Sequence, residues 1–181
     1  MDIGTRPLIV AANRLPVRWT DDGWETSPGG LVRALIPLLR ESGGTWVGWN
    51  GTVGGHVDPF EVEGVSMHPI ALDADDVSRY YEGFANNTLW PLYHDAIRDS
   101  TFDGAHWQRY RDVNERFAVT LANVAPNDAV VWVHDYHLLL LPSYILRKLR
   151  TTRVGLFLHI PFPSSEIFRT ISVRNELLRS P

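Results

Sequence analysis

The sequence predicts an α/β fold in which a parallel, Rossmann-like sheet carries helices on both faces. Two observations support this prediction. Strand-like apolar runs alternate with helix-like runs along the chain. One of them, AVVWV, is apolar throughout, and another, RVGLFLH, is apolar except at its two ends. Such alternation is typical of parallel sheets covered on both sides, whose buried strands read as continuous apolar segments. With 181 residues, the chain is long enough for one such domain.

Five apolar runs rich in β-forming residues are the expected strands. They lie at residues 7–13, 45–49, 65–72, 129–133 and 153–159. Pro69 cannot donate to a strand ladder, so the third run is expected at the edge of the sheet. The last two runs are expected to be buried. Residues 19–26 should form a hairpin or loop, and residues 56–63 a loop.

Helices are expected where apolar residues recur at helical spacing. The predicted helices are residues 31–40, 77–84, 107–122 and 137–149, followed by a short helix capped by 164–166. Asp73 begins an N-cap sequence for the second helix. Residues 85–94 should mix helix and loop, because Asn86-Asn87 and Trp90-Pro91 interrupt the pattern.

Two prolines fall inside predicted helices. Pro37 should kink the first helix or end it early, because proline removes a helical hydrogen bond and clashes with the preceding turn. Gly43-Gly44 should end that helix in any case. Pro142 lies inside the predicted helix 137–149, where a proline is unfavourable for the same reason.

Composition and motifs exclude several function classes. A net charge of −4 gives no electrostatic basis for binding nucleic acid or an anionic membrane. No apolar run approaches membrane-spanning length, so a cytoplasmic protein is expected. There are no cysteines, which excludes disulfides and thiol chemistry. No dinucleotide-binding glycine motif, serine-hydrolase motif or metal-ligand spacing occurs, so no cofactor or metal is expected.

Polar residues stand where two of the predicted strands end. Asp135 follows the run 129–133, and His159 ends the run 153–159. Ligands of open α/β sheets bind beyond the carboxyl ends of the strands, so we expect both residues in one cleft. Asp135 either caps the following helix or holds substrate hydroxyls, and His159 is either a cleft residue or a buried core histidine. The nearby His134 and His137 are expected to be structural.

Other residues near predicted strand and helix ends suit an anionic ligand. Arg14 follows the first strand and forms either a surface ion pair or a bidentate grip on a phosphate. Gly29-Gly30 opens the helix 31–40 and is either a turn or an anion seat made of backbone N–H groups. Tyr81 and Trp90 belong either to the core or to the cleft.

Seven ordered sequence blocks resemble the N-terminal half of the trehalose-6-phosphate synthases, a family of retaining glycosyltransferases with the GT-B fold. The blocks are ANRLPV, SPGGLVRAL, TWVGWNG, YYEGFANNTLWPLYH, YRDVNERFA, VWVHDYHLLLLP and FLHIPFPSSEIFR. They extend from about residue 8 to residue 169. The resemblance implies that residues 1–181 form an incomplete, truncated acceptor-side Rossmann-like domain, and that the C-terminal donor-nucleotide domain is absent.

The resemblance also implies substrates and residue roles. The reaction would transfer glucose from UDP-glucose to glucose 6-phosphate, giving α,α-trehalose 6-phosphate and UDP. The acceptor would be bound by Arg14, Tyr81, Trp90 and Asp135. The donor would be bound by Gly29, Gly30 and His159. His159 and Asp135 would lie at the transferring centre, with Asp135 as a positioning group rather than a nucleophile.

The resemblance leaves alternatives open. Half of a two-sided cleft cannot exclude water or stabilise the leaving group, so the missing domain or a partner chain should be needed for activity. The chain alone is therefore expected to be inactive. A related synthase with another phosphorylated acceptor, such as glycerol 3-phosphate, is the alternative enzyme. A non-catalytic sugar-phosphate-binding module is the alternative outside the enzyme class, and homo-oligomerisation is open.

Overall fold

A six-stranded sheet forms the centre of the molecule in the computed structural model, which describes residues 6–149 and 151–179. The strands are Leu8–Arg14 (β1), Val17–Thr20 (β2), Gly23–Thr26 (β3), Thr45–Val53 (β4), Phe60–Val62 (β5), Val65–Leu72 (β6), Val130–His134 (β7) and Arg153–Phe157 (β8). The sheet order is β5-β6-β4-β1-β7-β8, and β2 pairs with β3 in a separate hairpin. All neighbours in the sheet are parallel except β5 and β6.

The helices follow the strands in alternation. They are Gly30–Ser42 (α1), Ala74–Asp76 (α2), Trp90–Tyr93 (α3), Gly104–Val124 (α4), Leu141–Lys148 (α5), Ser165–Phe168 (α6) and Arg174–Leu178 (α7). A π-helix, Val77–Leu89, joins α2 to α3. Short 3-10 turns occupy Ile97–Asp99 and Tyr136–Leu138.

Alternate residues of the central strands enter two separate cores, one on each face of the sheet. Ile9 and Ala11 of β1 pack in the core formed with the π-helix, α4 and α5. Val10 and Ala12 pack in the other core, which is covered by α1. The buried residues of α1 are Leu35, Ile36 and Leu39. Because strand side chains alternate between faces, each strand serves both cores. The prediction of helices on both faces is confirmed.

The third and last predicted strands are placed differently from expectation. Strand β6 is not the edge, because β5 lies outside it in a segment that was expected to be loop. Strand β5 pairs only with Val65–Met67, so β6 has no neighbour on that side at Pro69, where a missing N–H is tolerated. Strand β8 is the opposite edge and is largely exposed rather than buried. Its apolar sequence reads as buried, but it has a neighbour on one side only.

The proline in α1 does not end the helix early. The helix continues past Pro37 to Ser42 and ends at Gly43, whose backbone is left-handed with φ 60°. The N–H of Gly44 donates to the Leu39 carbonyl over 2.7 Å. This is the usual glycine termination of a helix, and the predicted stop is confirmed.

The segment expected to mix helix and loop is helical almost throughout. Asp73 forms the predicted cap, accepting from the N–H of Asp76 over 2.7 Å. The asparagines do not interrupt the π-helix, because Asn86 accepts a hydrogen bond from the Tyr136 hydroxyl over 3.0 Å. A tertiary contact therefore outweighs the low helix propensity of asparagine.

The helix predicted at residues 137–149 begins later. A 3-10 turn occupies Tyr136–Leu138, and α5 starts at Leu141, so Pro142 lies in its first turn. Proline is tolerated there because its missing N–H would have no helical partner. The amphipathic helix predicted at 107–122 is confirmed as α4, with Asp103 as its N-cap.

Candidate functional site

A cavity of about 280 Å³ lies at the carboxyl ends of β1, β7 and β8. Four of the predicted site residues line it, namely Arg14, Tyr81, Asp135 and His159. They come from β1, the π-helix, the residue after β7 and the loop after β8. The parallel pairing of β1, β7 and β8 brings these distant positions to the same edge of the sheet.

Arg14 ends β1 with its guanidinium over aromatic rings. The guanidinium carbon lies 4.4 Å from the centroid of Trp49 and 5.9 Å from that of Tyr81, which are cation–π distances. Within residues 6–149 and 151–179, no carboxylate forms an ion pair with Arg14. The alternative of a surface ion pair is therefore not observed, and the charge is available to an anionic ligand.

Gly51 leaves the space that the Arg14 side chain occupies. A Cβ built on Gly51 would lie 2.6 Å from Arg14 Nη1, and Gly51 has φ +88°. The backbone conformation therefore favours glycine, and a Cβ at this position would displace the end of the Arg14 side chain. The Arg14 carbonyl is anchored as well, accepting from Trp46 Nε1 over 3.1 Å.

Tyr80 and Tyr81 point in different directions from the π-helix. Tyr80 is fully buried and its hydroxyl donates to Asn13 Oδ1 over 2.8 Å. Tyr81 lines the cavity and stacks on His137, with ring centroids 5.7 Å apart and an interplanar angle of 16°. π-helical segments occur frequently at functional sites, and this one sends one tyrosine to the core and the next to the cavity.

His137 is a neutral ring beside the Arg14 charge. It is buried, and neither ring nitrogen has a hydrogen-bond partner in the part of the chain that the structure describes. Burial and the positive charge of Arg14 lower the pKa of His137 to about 3. Its ring therefore supports Tyr81 without adding a second charge to the cavity.

Asp135 adopts an unusual backbone conformation at the end of β7. Its φ is +73°, which non-glycine residues rarely adopt, and its N–H donates to the Phe157 carbonyl over 2.8 Å. The carboxylate makes no side-chain cap to the following turn, so the capping alternative is not observed. Instead, Asp135 Oδ1 accepts from the backbone N–H of His159 over 3.4 Å.

His134 and His159 contact each other across β7 and β8. Nδ1 of His134 lies 3.0 Å from Nε2 of His159, and the rings are stacked. His134 is buried, and its burial together with the neighbouring His159 lowers its pKa to about 4. His159 is exposed, so it is not the buried core histidine of the alternative interpretation.

The remaining predicted site residues lie near the cavity but do not line it. Gly29 is the N-cap of α1 and Gly30 its first residue, and the next two residues, Leu31 and Val32, do line the cavity. A Cβ on Gly30 would meet no atom within 4 Å. Trp90 is 43% exposed and contacts Tyr136 and His94, with centroids 5.7 Å and 3.9 Å away.

Sequence reasoning assigned His134 and His137 to structural roles only. Both are buried, and both also line the cavity. The alternation of β7 places His134 on the same face as Trp132, towards α1, and this signal could have directed it to the cleft. His137 could not be placed, because it follows the strand in a 3-10 turn that the sequence did not indicate.

A larger groove of about 410 Å³ lies elsewhere along β8. Its lining is apolar, with Tyr93, Leu156, Phe162 and Phe168 among the residues, and none of the described residues that line it is charged. It offers nothing that would hold a phosphate. Among the described residues, no group of three or more histidine or carboxylate side chains could hold a metal ion. No helix described here has the length and apolarity to cross a membrane.

Comparisons with known proteins show a consistent similarity. Residues 7–180 match the profile of glycosyltransferase family 20. The trehalose-6-phosphate synthase of Mycolicibacterium smegmatis is 48% identical over 181 residues, which cover 97% of this chain and 36% of that protein. This chain therefore spans a little over a third of the length of that relative.

Solved structures show the same partial coverage. An α,α-trehalose-phosphate synthase (UDP-forming) from Burkholderia xenovorans, in complex with glucose-6-phosphate, superposes with a TM-score of 0.81 and 34% identity over 96% of this chain and 38% of that chain. An E. coli structure described as trehalose-6-phosphate bound with UDP-2-fluoro glucose gives a TM-score of 0.85 and 31% identity over 96% and 37%.

Proposed function

Because the chain belongs to glycosyltransferase family 20, we propose that it forms the acceptor-binding part of an α,α-trehalose-phosphate synthase (UDP-forming). The reaction transfers glucose from UDP-glucose to glucose 6-phosphate and yields α,α-trehalose 6-phosphate and UDP. Relatives solved with glucose-6-phosphate and with UDP-2-fluoro glucose support these substrates. In this proposal residues 1–181 belong to the acceptor-side domain, and a further domain or chain supplies the donor-nucleotide side.

The observation that carries the proposal is the setting of Arg14. Its guanidinium, which has no ion-pair partner among the described residues, lies on Trp49 and Tyr81 and opens into the cavity that Asp135 and His159 also line. A phosphate bound to arginine gains charge-assisted and often bidentate hydrogen bonds. A sugar phosphate held there by its phosphate would extend its hydroxyls towards the carboxylate of Asp135.

The proposed chemistry assigns positioning and charge stabilisation to this chain. The bond from glucose C1 to the diphosphate breaks, a bond from C1 to the acceptor oxygen forms, and the acceptor proton passes to the leaving diphosphate. Asp135 orients acceptor hydroxyls, and His159 lies beside the donor sugar. The free N–H groups that begin α1, at Gly29-Gly30, face the diphosphate, where a helix N-terminus favours negative charge. Trp90, which lies near the cavity but does not line it, is assigned to the acceptor side of the site.

A UDP-release assay with and without the remaining part of the enzyme tests this proposal. We expect little or no turnover from the chain alone, because nothing excludes water or stabilises the leaving group from the other side. Addition of the separately produced C-terminal part of the M. smegmatis relative should restore UDP release. Turnover by the chain alone near that of a full-length relative would contradict the proposed half-site.

Product analysis of the same mixture separates the alternatives. Glucose 6-phosphate and glycerol 3-phosphate supplied together should give trehalose 6-phosphate as the main product. A glucosylglycerol phosphate product would assign the other acceptor. Tight binding of glucose 6-phosphate without turnover in any mixture would indicate a sugar-phosphate-binding module. The cytoplasmic location stays a prediction, and the oligomeric state stays open.

A further inference from the structure

The side chains of His134 and His159 form a hydrogen bond near the ends of two neighbouring strands. Nδ1 of His134 and Nε2 of His159 are 3.0 Å apart, a hydrogen-bond distance, and β7 pairs with β8 up to His134 and Phe157. A neutral imidazole has one N–H donor and one bare acceptor nitrogen. One of the two nitrogens in the contact must therefore donate and the other accept.

The surroundings of His134 decide which nitrogen donates. Its other nitrogen, Nε2, is buried and has no hydrogen-bond partner in residues 6–149 and 151–179. If Nε2 of His159 carried the proton, His134 would accept at Nδ1, and its own proton would be left on the buried Nε2. A buried N–H without an acceptor is rarer and more costly than a bare acceptor nitrogen. The favoured arrangement keeps the His134 proton on Nδ1.

The doubly protonated, positively charged form of His134 would donate from both nitrogens, but this form is not expected near pH 7. Burial, together with the neighbouring His159, lowers the pKa of His134 to about 4, so the ring is neutral near pH 7. The rings packed closest to it are Trp132, Phe157 and His159, with centroids 5.0, 6.2 and 5.3 Å away. The Asp135 carboxylate lines the same cavity, but it accepts from the backbone N–H of His159 and forms no hydrogen bond with the His134 ring among the described residues.

We propose that His134 is a positioning residue that holds His159 in the tautomer protonated on Nδ1. In this tautomer the Nε2 of His159 is occupied as an acceptor, and its Nδ1–H is the ring nitrogen left for a ligand in the cavity. The carboxylate of Asp135 also holds His159, because it accepts a hydrogen bond from the backbone N–H of His159. The end of β7 thus holds both the ring and the main chain of His159.

This inference deepens the proposed function and rests on it for the identity of the ligand. A neutral N–H donor suits a sugar hydroxyl or a phosphate oxygen. The same ring cannot remove a proton through Nε2 without breaking its contact with His134. His159 therefore acts in the transfer as a hydrogen-bond donor rather than as a general base.

Long-range ¹H–¹⁵N NMR of the chain with ¹⁵N-labelled histidine tests the tautomer directly. At mildly alkaline pH, Nδ1 of His159 should give the signal of a protonated nitrogen and Nε2 that of a bare one. His94 is an internal reference, because its Nδ1 faces the Trp90 carbonyl over 2.8 Å and must carry the proton. The reversed pattern at His159, with the proton on Nε2, would overturn the inference.

Two variants show whether His134 is the cause. His134→Leu removes the donor, so His159 should lose its fixed tautomer and average over both forms. His134→Asn places an amide N–H₂ where Nδ1 stood and should restore the Nδ1–H form. A fixed Nδ1–H tautomer in H134L, or its loss in H134N, would overturn the role assigned to His134. Dispersed backbone spectra establish that each variant is folded, and the wild-type measurement stands if one is not.

Ligand binding is measured separately from the tautomer. Calorimetric titration of the same samples with glucose 6-phosphate reports on the proposed function. Absence of binding with the predicted tautomer intact would count against the function and leave the positioning role standing. A reversed tautomer with normal binding would do the opposite.

Discussion

Single residues set the electrostatics of the cavity. Arg14 contributes a positive charge that is unpaired within the described chain, while His134 and His137 contribute neutral rings. Burial lowers the pKa of both histidines, and Arg14 adds to this effect at His137. The two rings therefore shape the cavity without repelling the cation beside them, which is the arrangement that an anionic ligand requires.

The lowered histidine pKa values predict how stability depends on pH. The unfolded histidines titrate near pH 6.5, whereas the folded ones titrate near pH 4 for His134 and near pH 3 for His137. This contribution to stability is thus present above about pH 6.5 and is lost as the pH decreases towards these values, by at most roughly 1.4 kcal/mol per pH unit for each histidine. Urea unfolding at several pH values between about 7 and 5 measures this slope.

Two variants test whether His137 contributes to this pH dependence of the unfolding free energy. His137→Phe should reduce the slope in that pH range, because one histidine whose pKa is lowered by burial is gone, while His134 and the partly buried His68 remain. His56→Gln is the control, since the His56 side chain is 83% exposed and should leave the slope unchanged. Equal slopes in the wild type and in H137F would contradict the account of His137.

Gly51 and Gly54 offer a matched test of the Arg14 site. Both have a positive φ, +88° and +70°, so alanine at either position should cost about 1 kcal/mol through backbone strain. Only at Gly51 would the new Cβ meet Arg14, whereas at Gly54 it would meet nothing within 4 Å. Urea unfolding should therefore show similar losses in G51A and G54A, and calorimetry should show weaker glucose 6-phosphate binding in G51A alone. Equal binding by both variants would contradict the role of Gly51.

Among the elements, α4 has the clearest link from sequence to stability. Its predicted stripe of Tyr110, Val113, Phe117 and Leu121 is fully buried against the sheet. Phe117→Ala should destabilise the chain by roughly 3–5 kcal/mol, because it removes a buried ring and leaves a cavity. Val119→Ala on the same helix is 44% exposed and should change stability by no more than about 0.5 kcal/mol. Chemical denaturation of both variants measures the difference, and similar losses would be inconsistent with the observed burial.

The spacing of apolar residues identified the elements in which burial follows a regular pattern from one end to the other. It predicted α4, which buries one face, and β7, in which Val131, Val133 and His134 are buried and the other two residues are partly buried. It did not predict β5, which has three residues and exists only because β6 offers an open side. It also read β8 as buried, since exposure of an edge strand depends on what packs against it rather than on its own residues.

The π-helix was predicted only in part for a related reason. Residues 77–84 carry helical spacing, but the asparagines that follow have low helix propensity. The hydrogen bond from Tyr136 to Asn86 spans 50 positions and is absent from any local pattern. A contact between residues distant in sequence is therefore found inside the part of this element that local propensity did not predict.

At the scale of the whole molecule, the candidate site illustrates what strand topology makes predictable. The sequence could predict that polar residues at strand ends lie close together, because parallel strands present their carboxyl ends at one edge of the sheet. Arg14, Asp135 and His159 do share a cavity there. The contributions of His134 and His137 were missed: strand alternation could have placed His134, whereas His137 lies in a 3-10 turn that no local pattern indicates.

Binding of glucose 6-phosphate to the chain tests the central claim most directly, namely that residues scattered from β1 to the loop after β8 form one phosphosugar site. Isothermal titration of the wild type should show binding, and Arg14→Ala should weaken it by at least about tenfold, since charge-assisted hydrogen bonds are lost. Arg98→Ala, an exposed arginine away from the cavity, should bind like the wild type. Undiminished binding by R14A, or an equal loss in R98A, would contradict the claim.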